Sequence, residues 1–73
     1  MNAMDEVIFT GYGIEIRKRA GKLYIRADFG EIVNRDLEFE VTEPEAREAE
    51  RSERDAYNVL LRLEKSGRPA RRV

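Results

Sequence analysis

Ile14-Glu15-Ile16-Arg17-Lys18-Arg19-Ala20-Gly21-Lys22-Leu23-Tyr24-Ile25-Arg26-Ala27-Asp28-Phe29 alternates apolar and charged side chains on both sides of Ala20-Gly21. A period of two is the signature of a half-buried strand, so the segment reads as a β-hairpin. Ile14, Ile16 and the stem of Lys18 share one side of the first strand. Leu23, Ile25, Ala27 and Phe29 share one side of the second. Opposed residues of an antiparallel pair lie on the same face, and a register in which paired numbers sum to 41 satisfies every position. It sets Ile16 against Ile25 and Ile14 against Ala27 inward, with Arg17 against Tyr24 and Glu15 against Arg26 outward. A two- or four-residue loop fits this register, with Gly21 supplying a positive φ. Outward, the hairpin should carry a cation–aromatic pair and an ion pair.

Working outward, Leu37, Phe39 and Val41 alternate with Glu38 and Glu40 as a further strand. Between them, Gly30 interrupts the alternation, Ile32 and Val33 extend the sheet past a bulge, and Asn34-Arg35-Asp36 has turn-forming side chains. Val7 to Thr10 is apolar without a preferred face and ends at Gly11-Tyr12-Gly13. It is an edge strand or a lead into the hairpin.

Thr42-Glu43-Pro44-Glu45 has the capping-box spacing, an early proline and carboxylates in the first helical turn. Ala46 and Ala49 give a weak helical period. Ala56, Tyr57, Val59, Leu60, Leu61 and Leu63 give a strong one, wrapping one side of a helix that ends near Gly67. Ser52 and Asp55 repeat the capping spacing, leaving either one long helix, kinked near Ser52, or two. Residues 68–73 offer nothing to bury and read as a disordered basic tail after a single domain over 1–67. The fold expected is α+β: a three- or four-stranded antiparallel sheet with one face packed on C-terminal helix.

The 73 residues carry 14 Lys plus Arg, 15 Asp plus Glu, and no His, Cys or Trp. A domain this short buries only about 60% of its unfolded surface, which argues against a deep substrate cavity. The missing side chains exclude thiol nucleophiles, disulfides, serine–histidine triads and the usual zinc ligands. Ser52 and Ser66 stand in no nucleophile motif. Gly11-Tyr12-Gly13 lacks the later glycines and the lysine of a phosphate-binding loop. Glu43, Glu45, Glu48 and Glu50 lack the spacing of a calcium loop. No enzyme, metal or cofactor is therefore expected. The longest apolar run, Val7-Ile8-Phe9, is far below a membrane span or a signal-peptide core, so the chain reads as soluble and cytoplasmic. Met4 is a second candidate start, or Met1 to Ala3 is left over from cloning; the fold is the same either way.

The net charge of −1 hides segregation. Met1 to Leu37 is balanced, Glu38 to Asp55 has 8 acids against 3 bases, and Ala56 to Val73 has 1 acid against 5 bases. A charged partner meets such patches and not their mean. The candidate contact groups are Arg17, Tyr24 and Arg26 on the outer sheet face, or Glu38, Glu40, Glu45 and Glu48 on an acidic flank suited to a basic partner.

Two resemblances bear on function. Gly13-Ile14-Glu15-Ile16, Leu23-Tyr24-Ile25 and Val41-Thr42-Glu43-Pro44-Glu45-Ala46, leading to Ala56-Tyr57-Asn58-Val59-Leu60, resemble the small immunity proteins that bacteria make against their own toxins. That resemblance implies tight, non-enzymatic binding to a protein partner. The order of three strands followed by a helix, with Arg17-Lys18-Arg19, Lys22 and Arg26 around Tyr24, resembles the arm-binding domains of phage-type integrases and implies duplex binding by the sheet. Against the second stand Glu15, Asp28, Glu38 and Glu40 on that face and a pI near 5.5. A protein-interaction domain is the leading expectation and DNA binding the alternative. An isologous dimer through Val7 to Thr10 is a further expectation, because edge strands seek partners.

Overall fold

The computed structural model describes residues 5–28 and 36–72. Strands β1 (Glu6–Gly11), β2 (Ile14–Arg19), β3 (Lys22–Asp28) and β4 (Asp36–Val41) are followed by helices α1 (Glu43–Arg51) and α2 (Glu53–Lys65) and by a short strand β5 (Ala70–Arg72). The five strands form one antiparallel sheet in chain order, with β1 and β5 at its edges. The fold is α+β, with the helical C-terminal region on one face of the sheet, as the sequence pattern expects.

The hairpin adopts the register summing to 41, from Ile14 opposite Ala27 to Arg19 opposite Lys22. That leaves a two-residue loop, in which Ala20 (φ 53°) and Gly21 (φ 80°) are both left-handed. Positive φ at both central residues matches the right-handed twist of the flanking strands. Tyr12 and Gly13 turn the β1–β2 hairpin in the same way. Val7 to Thr10 is thus part of a true edge strand. Its register slips between Val7 and Phe9, leaving Ile8 as the extra residue of a bulge.

Inward-facing Ile14, Ile16, Ile25, Ala27, Phe39 and Val41 pack against Ala46 and Ala49 of α1 and Ala56, Val59 and Leu63 of α2. The alanines on α1 let its backbone come close to the sheet, and the branched side chains of α2 supply the bulk. Phe29, Ile32 and Val33, and the turn at Asn34-Arg35, lie outside the described residues.

Two capped helices replace the choice left open by the sequence. Thr42 accepts from the Glu45 backbone N–H at 3.4 Å, and the Glu45 carboxylate accepts from the Thr42 N–H at 2.8 Å. Ser52 ends α1 in an extended conformation and starts α2 by accepting from the Asp55 N–H at 3.1 Å.

The described residues 68–72 correct the expectation of a disordered tail over 68–73. Gly67, at φ 75°, turns the chain back, and Ala70 to Arg72 then pair with Phe39 to Leu37 of β4. Arg68 fixes the approach by donating to both Glu45 carboxylate oxygens, at 3.0 and 3.1 Å, and to the Glu40 carbonyl at 3.0 Å. Backbone pairing and a guanidinium clamp order residues 68–72, none of which buries an apolar side chain. The sheet accordingly has five strands and not three or four.

Candidate protein-contact surface

The sheet face turned away from the helices carries the outward residues of all five strands. Arg17, Tyr24, Arg26 and Glu38 are brought together there, with Glu40 opposite Tyr24. They do not stand free in solvent. Arg17 bonds Glu15 at 2.9 Å and Asp5 at 3.2 Å. Arg19 bonds Glu38 at 3.0 Å and lies 3.6 Å from Asp5. Arg26 reaches Glu38 at 3.3 Å and Glu15 at 3.9 Å. The contacts close a ring of alternating charge: Asp5, Arg17, Glu15, Arg26, Glu38, Arg19 and back to Asp5. Arg71 of β5 adds a further cation 4.0 Å from Glu38.

Glu38 is only 3% exposed, although it belongs to the face without helices. Arginines from β2 and β3 lie across it, and their stems and planar heads remove it from water. Alternation identifies its face correctly but says nothing of what long neighbours lay on top of it. Arg19 also stacks on Tyr24, with its guanidinium carbon 4.5 Å from the ring centroid. The hairpin register pairs Tyr24 with Arg17, yet Arg17 turns to its two carboxylates and the cation comes from two residues further along β2. The Glu15 bond holds the Arg17 proton more firmly than usual, and the Glu38 bond does the same for Arg19.

Glu45 and Glu48 are not brought to this face. Both lie on α1, across the sheet, where Glu45 is held by Arg68 and Glu48 by Arg62 at 2.6 Å. Their assignment to one acidic flank with Glu38 and Glu40 therefore divides between two sides of the molecule. Among the described residues there is no group of acidic side chains that could hold a metal ion, and no helix long and apolar enough to cross a membrane.

The residues that do project unpartnered apolar area are others. Among the described residues, Val7, Ile8, Tyr12 and Tyr57 are the exposed large hydrophobics, at 44, 43, 45 and 61%. Tyr12, at the tip of the β1–β2 turn, rests against Phe9 with ring centroids 5.8 Å apart. Together with Tyr57, Leu60, Glu53 and Arg54 it lines a shallow hollow of about 440 Å³ at the start of α2. The sequence pattern groups Tyr57 with the buried wrap of the helix, and here it is corrected. At about 100° per residue, Tyr57 stands roughly a quarter turn from Ala56 and further from Val59 and Leu63. That angle was the available signal for its exposure. A larger groove of about 730 Å³ opens between α1 and the end of the sheet, with Ile8, Leu23, Val41 and Ala46 among its apolar lining and Glu6, Lys18, Lys22 and Glu50 among its charged lining. No family model, curated protein or solved structure matches this chain.

Proposed function

We propose that the chain is a non-enzymatic, cytoplasmic protein-interaction domain that binds its partner by surface complementarity, the class to which toxin-blocking immunity proteins belong. One observation carries the reading: Tyr12 and Tyr57, 45 and 61% exposed, line one hollow together with Leu60, Glu53 and Arg54. Tyrosine brings large contact area at small conformational cost and is enriched where binding energy concentrates. The neighbouring Glu53 and Arg54 supply a polar rim of both signs. Duplex binding draws no comparable support, because the arginines of the sheet face are already engaged by Asp5, Glu15 and Glu38.

The test is affinity capture with the full chain as bait, from the cell that makes it, beside Tyr57→Ala and Tyr12→Ala baits. A protein partner recovered by the native chain and lost from at least one variant, with both variants folded, is expected. Capture that is unchanged in both variants, or no partner at all, would overturn the reading.

A further inference from the structure

We infer that the β1 edge is a self-association surface, on which a second copy of this chain adds its own β1 in antiparallel sense. This goes beyond the aromatic hollow and does not depend on it. The two edges of the sheet are built differently. β5 is three residues long, follows Pro69 and carries Arg71 and Arg72, all features that discourage another strand from joining. β1 spans six residues, Glu6–Gly11, and contains no lysine, arginine or proline. Its Val7 and Ile8 are 44 and 43% exposed. The bulge at Ile8 is the one edge-blunting feature β1 has; it bends the edge locally, carries no charge and leaves Phe9 to Gly11 regularly paired with β2.

Charge selects the occupant and its direction. The only ionisable residue of β1 is Glu6, at its first position. In an antiparallel pair the two copies of Glu6 lie at opposite ends, each beside the Gly11 end of the other strand. A parallel pair would set them side by side. Two identical edges placed antiparallel thus avoid like-charge contact and pair backbone with backbone, and the second strand partly covers Val7 on the outer face and Ile8 on the helix side. The patch is self-complementary, the property a two-fold interface requires. One strand pair with these few apolar side chains falls at the small end of protein interfaces, so the dimer is weak and concentration-dependent.

Sedimentation equilibrium of the full chain across about 5 to 500 μM should show a monomer–dimer equilibrium. Ile8→Lys and Val7→Lys should each weaken it at least about 10-fold, since each puts a charge on an edge position that the other copy's uncharged strand must desolvate. Ala70→Lys on β5 should leave it unchanged. Amide hydrogen exchange of the unmutated chain reads the same surface without a variant: protection in β1 should rise with concentration while β5 stays constant. A chain that sediments as a monomer throughout, a dimer that survives both β1 lysines, or protection that rises elsewhere and not in β1 would overturn the inference. An edge reserved for a strand of another protein would give the first of these results.

Discussion

Glu45 shows how one side chain joins parts of the fold that are distant in sequence. It closes the capping box with Thr42 and receives the forked guanidinium of Arg68, from 23 positions further along the chain. The Arg68 bond, helped by the Thr42 N–H and opposed by partial burial, lowers its pKa from 4.5 to about 2. A carboxylate whose folded pKa is depressed adds stability above its unfolded pKa, and that stability is lost as pH falls toward the folded value. The contribution is therefore complete above about pH 4.5 and gone near pH 2. Unscreened linkage would give about 3 kcal/mol; at side chains still 27 and 31% exposed, about 1 to 2 kcal/mol remains. Glu45→Gln keeps a capping-box side chain and removes only the charge. In urea titrations it should be less stable than the native chain by that amount at neutral pH and equal to it near pH 2. A difference independent of pH would disprove the charge clamp. The capping half of this arrangement is legible because it is local, at a spacing of three residues. The Arg68 half is not, because no local pattern connects residue 68 to residue 45.

At the scale of elements, the same division separates what the sequence shows from what it hides. The β2–β3 register follows from two facing alternations and a two-residue turn, all within 14 residues. The helix break at Ser52 is written in a repeated capping spacing, although only the structure chooses two helices over one kinked helix. β5 is hidden because a three-residue strand shows no alternation and its order comes from the β4 backbone. Removing residues 68–73 separates the two descriptions. A disordered tail would leave stability unchanged. Loss of the β4–β5 pairing and of the Arg68 clamp should instead cost about 2 kcal/mol, lowering the melting temperature by roughly 10 °C. It also uncovers β4 as a bare edge carrying Leu37 and Phe39, so scattering should rise with concentration before the thermal midpoint. An unchanged melting curve in the shortened chain would reject β5 as a stabilising strand.

Across the whole molecule, a two-layer domain of this size has helices for only one side of its sheet, and the other side must stay in water without becoming sticky. The chain covers that side with guanidinium and carboxylate groups laid flat against one another, three of each in a closed ring spanning β1's approach, β2, β3 and β4. Alternation reveals that these residues share a face; their mutual closure depends on strand order and side-chain length, which no single segment contains. Breaking the ring at its most enclosed member should be costly. Glu38→Gln leaves Arg19, Arg26 and Arg71 without their shared carboxylate and should lower stability by about 3 kcal/mol. Replacing the group together, with Glu38→Leu, Arg19→Met and Arg26→Met, should restore much of that loss, because apolar contacts substitute for charges that had to be desolvated. The restored protein would then present a broad apolar sheet face and should associate through it far more strongly than the native chain. Denaturant titration and sedimentation of the two variants separate the outcomes. If the triple variant is less stable than Glu38→Gln alone, the ring is a net source of stability. If it is stable and no more associated than the native chain, the ring is not what keeps this face from other proteins.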